Sequence, residues 1–220
     1  MAAAQNTLPY LERTPRSGDA QSAPVLVLLH GRAARAETIF SVEGLLDPRF
    51  HIISIGAPYE SPRGEFEWFL PYDYDHPLES FSEAHFRESE ERLTAQIRSM
   101  LGERGVTNDR LVIGGFSQGA AMSHILAMRG ILKPRGILAM SGFFPRPLES
   151  WTVPDAMPDY FISHGTNDQV LPVSESRYAY DFCTAHGLAA EFFEYSGRHK
   201  MTIPLLEKVS AWVNEHVHLS

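Results

Sequence analysis

Gly115-Phe116-Ser117-Gln118-Gly119 sets a serine between two glycines, directly after the apolar run Leu111-Val112-Ile113 and ahead of the helix-forming run Ala120 to Met128. A serine on a sharp strand-to-helix turn takes a strained backbone, and only small residues two positions away on each side let helix and strand approach so closely. The turn lifts the hydroxyl clear of the sheet edge. The chemistry this prepares is nucleophilic attack on an acyl carbonyl, set against the plainer reading of a glycine-rich turn before a helix.

A serine hydroxyl is a weak nucleophile until an imidazole removes its proton, and the imidazole needs an acid on its far side. In α/β-hydrolases the three follow in the order Ser, Asp or Glu, His, each on a loop past the C-terminal end of a strand. Asp168 lies in His164-Gly165-Thr166-Asn167-Asp168, after the run Tyr160 to Ser163, and His199 lies in Ser196-Gly197-Arg198-His199, after Glu191 to Tyr195. Both occupy the required position. Asp155 and Asp159 precede a strand, Asp181 sits on the solvated face of an amphipathic helix, and His186 before Gly187 reads as a helix end. His216 and His218 close the chain, and His164 ends a buried strand as a structural histidine.

Val25 to Leu29 is a near-continuous apolar run of the kind that suits a central parallel strand, and His30-Gly31-Arg32 follows it. The glycine lets backbone N–H groups face a developing oxyanion, while the Arg32 guanidinium reads as a solvated loop charge. At LLHG (Leu28 to Gly31), GFSQG (Gly115 to Gly119), HGTNDQVLP (His164 to Pro172) and the late Gly197-Arg198-His199, the chain resembles the phospholipase/carboxylesterase family of serine hydrolases. That family includes bacterial carboxylesterases and acyl-protein thioesterases. The resemblance implies a cofactor-free esterase with Ser117, Asp168 and His199 as its triad and the backbone N–H groups of Arg32 and Gln118 as oxyanion donors. Family members often carry a second glycine soon after the His-Gly pair, where this chain has Arg32-Ala33-Ala34-Arg35. Trp68-Phe69 is similar to an aromatic pair that contributes to the acyl pocket in bacterial members, and a buried aromatic cluster is the equal alternative. Phe143 and Val170 complete the expected substrate contacts, with packing as the other reading of Phe143 and its neighbour Phe144.

A length of 220 residues suits one domain, here residues 1–220, and a net charge of -8 without a basic cluster argues against nucleic acid or an anionic membrane as partner. Ten histidines show no H-E-x-x-H and no CxxC, so no metal site is expected. Cys183 is the lone cysteine, which rules out an internal disulfide, and its apolar neighbours place it in packing. The first residues lack a basic region and a long apolar run, and no run approaches the roughly 20 residues that span a bilayer. These readings together give a cytoplasmic enzyme acting on a small-molecule ester, without stable membrane association. The resemblance adds a homodimer.

Apolar strand-like runs at 25–29, 51–55, 111–114, 136–140, 159–164 and 190–195 alternate with helical patterns at 37–46, 83–102, 118–129, 174–186 and 201–216. Such alternation predicts an α/β-hydrolase fold, a mostly parallel sheet with helices on both faces. Thr7 to Arg13 reads as an edge strand, Ser82 as the N-cap of the longest helix, and the Glu and Arg residues of that helix as a solvated face. Gly56 to Phe81 is an aromatic, proline-rich loop that lines the substrate pocket, and Ser141 to Pro158 is too short for a cap domain. The reading is a serine carboxylesterase for short-to-medium acyl esters, with acyl-protein thioesterase or lysophospholipase as alternatives. A dienelactone-hydrolase-like enzyme would carry cysteine at the elbow, and a non-catalytic binding module would be expected to lack a triad member.

Overall fold

A computed structural model describes residues 7–62, 64–73, 81–130, 132–145 and 157–217. The apolar runs form strands β1 (Tyr10–Arg13), β2 (Val25–Leu29), β3 (His51–Ile55), β6 (Leu111–Phe116), β7 (Gly136–Met140), β8 (Asp159–Gly165) and β9 (Ala190–Tyr195) of one sheet, ordered β1-β3-β2-β6-β7-β8-β9. Only β1 is antiparallel, and it pairs at the edge with β3. The six parallel strands share one direction, so their C-terminal ends form one rim where connecting loops meet.

Helices α2 (Glu83–Arg104), α3 (Gln118–Met128) and α4 (Val173–Ala185) pack on one face, around Leu93, Ile97, Ile125 and Ala179. Helices α1 (Ala36–Phe40) and α5 (Ile203–His216) cover the other, through Ile39, Leu205, Val209 and Trp212. This is the doubly covered, mostly parallel sheet expected of an α/β-hydrolase. Ser82 caps α2, its hydroxyl accepting the His85 N–H at 3.3 Å, and Gly105 ends the helix at φ 59°, the left-handed region open to glycine.

Several expected elements differ. The helix expected over 37–46 stops at Phe40 and resumes as a 3₁₀ turn at Glu43–Leu45, because Ser41 bonds back through its hydroxyl to the Thr38 carbonyl and the following Val and Gly favour helix weakly. Within the aromatic loop, β4 (Tyr59–Glu60) and β5 (Phe66–Glu67) form a small hairpin. Glu90 is not part of a solvated face: it is 3% exposed and pairs with Arg129 at 3.1 Å. Burial holds its carboxyl above the usual range. Tyr74 and Pro77 of the aromatic loop, Asp155, His218 and residues 146–156 of the connection expected to lack a cap lie outside the described residues.

Three buried histidines carry a cost in acid. Burial pushes His124 in α3 down to about 3 and His30 after β2 down to about 4, and it lowers His164 at the end of β8. An unfolded histidine titrates near ~6.5, so below that value the unfolded chain binds more protons than the folded one and stability falls as pH drops. The melting temperature should therefore decline steadily from about pH 6.5 downward. His124→Phe keeps the ring contacts with Tyr160 and Phe144 and removes one titrating group. Stability measured against pH should then lose up to about 1.4 kcal/mol per pH unit of its acid slope. An unchanged slope would assign the acid sensitivity to other groups.

Candidate active site

Ser117 stands at the C-terminal end of β6 with φ 56° and ψ -117°, a left-handed conformation that a side-chain-bearing residue takes only where its surroundings impose it. The imposition is visible at the flanking glycines. A Cβ on Gly115 would run into the Gly119 backbone, and one on Gly119 would run into the Leu29 carbonyl of β2. At the elbow itself, strand and helix thus approach through the bare backbone of these glycines.

His199 Nδ1 donates to Asp168 Oδ2 at 2.6 Å. The other carboxylate oxygen, Oδ1, accepts the Val170 and Leu171 N–H groups at 2.8 and 3.0 Å. Burial opposes ionisation of Asp168, but the Leu171 N–H, the His199 side chain and the Val170 N–H outweigh it and hold the carboxyl below its ordinary value. The two loops that carry these residues are tied together, with Asn167 N–H bonded to the Gly197 carbonyl and Thr166 N–H to the Tyr195 carbonyl, each at 2.9 Å. The Phe116 ring lies 4.7 Å from the His199 ring, and Ser117 and His199 line one depression of about 140 Å³ with Gly31, Arg32 and Met201.

His164, a structural histidine by its place at the end of a buried strand, is fully buried, with Nε2 3.2 Å from Asp168 Oδ2 and 3.0 Å from the Leu171 carbonyl. Its Nδ1 lies 2.7 Å from Ser176 Oγ of α4, so both ring nitrogens are engaged. The His164-to-Asp168 spacing within one tight loop was the available signal.

On the other side of Ser117, the loop after β2 approaches so closely that a Cβ on Gly31 would sit 3.2 Å from the Ser117 Cβ. His30 shapes this loop. Its Nε2 accepts the Ala57 N–H at 2.9 Å, which leaves the proton on Nδ1, and Nδ1 donates to the Gly31 carbonyl at 2.7 Å. That carbonyl shares a trans peptide with the Arg32 N–H, so fixing the oxygen turns the N–H the opposite way. Gln118 is the first residue of α3, in the turn whose N–H groups have no intrahelical acceptor and carry the positive end of the helix dipole.

A cavity of about 60 Å³ opens beside Ser117 between Arg32, Phe69, Gln118, Phe143, Val170 and Leu171. Phe69 and Phe143 supply its aromatic walls, and Val170 stands exposed at the lip. Of the two readings of Trp68, pocket wall or buried cluster, the structure agrees with the second, since Trp68 does not line this cavity. It is fully buried, with its indole turned under the His30 loop rather than toward the cavity.

A model of the Phospholipase/Carboxylesterase family matches residues 15–217 of the sequence. The chain belongs to that family. Among curated relatives, the acyl-protein thioesterase 1 of Yarrowia lipolytica is 26% identical over 171 residues, covering 73% of this chain and 75% of that protein. The acyl-protein thioesterase 1 of Debaryomyces hansenii is 29% identical over 114 residues, and the match spans about half of each, 47% of this chain and 46% of that protein. The Bacillus cereus carboxylesterase has the same fold with a TM-score of 0.82 at 18% identity, covering 95% of this chain and 94% of that one. Esterase PE8 matches with a TM-score of 0.80 at 23% identity, over 96% and 98%. Among the described residues, no helix is long and apolar enough to cross a membrane.

Proposed function

We propose that this family member is a serine carboxylesterase that hydrolyses short-to-medium-chain carboxylic esters through an acyl-enzyme. The observation that carries this is the His199 to Asp168 bond at 2.6 Å at the edge of the depression that Ser117 also lines. His199 takes the Ser117 proton as Oγ attacks the ester carbonyl, and Asp168 holds the imidazole in the tautomer with Nε2 free. The Arg32 and Gln118 N–H groups receive the oxyanion of the tetrahedral intermediate. Its collapse breaks the ester C–O bond and His199 protonates the departing alcohol; water then repeats the attack and frees the acid.

The small cavity walled by Phe69 and Phe143 supports the chain-length part of the reading, and Cys183, a free buried thiol, fits a cytoplasmic setting. The test is a hydrolysis panel of p-nitrophenyl esters of increasing acyl length, run beside acyl-CoA, a palmitoylated peptide and a lysophospholipid. Turnover should be highest on dissolved short-to-medium esters and should not jump when substrate forms micelles. Turnover confined to thioesters would instead favour the activity named for the thioesterase relatives. Phe69→Leu, which opens the wall while keeping it apolar, should move the optimum to longer chains and raise the long-to-short ratio of kcat/KM by about 10-fold. The same profile in variant and parent, with melting temperature unchanged, would remove Phe69 from the acyl wall.

A further inference from the structure

Trp68 exposes no surface, yet each of its polar groups is spoken for. Its indole Nε1–H donates to the His30 carbonyl at 2.8 Å, and its backbone N–H donates to Gln118 Oε1 at 2.8 Å. The carbonyl of Trp68 accepts the Ser89 hydroxyl of α2. Gln118 completes the link, donating from Nε2 to the Phe69 carbonyl at 2.7 Å, so its one amide engages the backbone of both aromatic residues. The indole also packs on the His30 ring, with centroids 5.2 Å apart.

These bonds end on two particular residues. Gln118 supplies one oxyanion donor, and His30 holds the peptide that supplies the other. The donors belong to different elements, the loop after β2 and the first turn of α3, and they must converge on one oxygen. Donors aimed at a developing charge act through pre-set geometry, and errors of about 0.5 Å weaken them. We infer that Trp68 is a positioning residue, a brace that fixes the distance between the two oxyanion donors. This deepens the esterase reading and rests on it.

Trp68→Phe keeps a large apolar ring and removes only the indole N–H with part of the ring system. It should lower kcat by about 10-fold or more with KM changed by no more than about twofold. Affinity for a trifluoromethyl ketone, whose hemiketal oxyanion occupies the hole, should fall in parallel while the acyl-length profile stays that of the parent. Gln118→Met cuts the same link from its other end and keeps the backbone N–H, so it serves if Trp68→Phe does not fold. The double variant should lose little more than the worse single variant, as expected when two changes disable one device. A shifted length profile would make Trp68 a pocket wall, and parent-like kcat and ketone affinity with a lowered melting temperature would make it core alone; either result overturns the brace, as does additivity in the double variant. Fluorophosphonate labelling separates the two claims. A parent unlabelled at Ser117 overturns the esterase reading and the brace with it, whereas a labelled parent with an unimpaired Trp68→Phe overturns the brace only.

Discussion

Ser117→Ala should fold as the parent does and lose about 10⁴-fold or more in turnover, because the remaining groups then have no hydroxyl to activate. Alanine fits the site, but it keeps the cost of φ 56°, which the contacts around Gly115 and Gly119 impose on any residue there. Stability should consequently change little while chemistry stops. The measurements are kcat/KM on the best p-nitrophenyl ester, melting temperature, and mass-spectrometric mapping of a fluorophosphonate adduct in the parent. An adduct on another residue, or near-parent activity in the variant, would send the search for the nucleophile elsewhere.

Asp168→Asn should cost turnover a similar factor of about 10⁴ through the tautomer of His199. Oδ1 accepts the Val170 and Leu171 N–H groups, so the new amide oxygen keeps that position and its NH₂ group faces His199 Nδ1. Two donors cannot bond each other. Nδ1 becomes the acceptor, the proton moves to Nε2, and Nε2 can no longer take the serine proton. KM should hardly move, since Asp168 has no exposed side chain to offer a substrate. A variant with most of the parental kcat would show that another carboxylate orients the histidine.

What the sequence discloses here and what it conceals divide by range. Ser117, Asp168, His199 and the Gly31-Arg32 turn each follow a strand that its own apolar run announces, so local pattern is enough to place them on one rim of a parallel sheet. Trp68, by contrast, looks the same in sequence whether it faces a substrate or a carbonyl. Its place is decided by hydrogen bonds to His30 and Gln118, which lie 38 and 50 residues away in the chain. Glu90 is concealed for the same reason, since its partner Arg129 lies at the end of α3, whereas His164 stands four residues from Asp168 and only that spacing hints at their contact. The β4–β5 hairpin escapes because strands of two residues are too short to show alternation.

The closed contacts at Gly115 and Gly119 bear on how such a protein can change over generations or in the laboratory. With helix α3 seated directly on β6 and on the Leu29 carbonyl, the height of the serine above the sheet is a dimension that mutation cannot tune. On the proposed esterase reading, new substrates would be accommodated where Phe69, Phe143 and Val170 line the cavity beside Ser117, while the elbow keeps its shape. A randomised library for altered ester preference belongs at those three positions, and codons 115 and 119 are best left untouched. Substrate range is thereby free to drift in a protein whose reaction stays anchored.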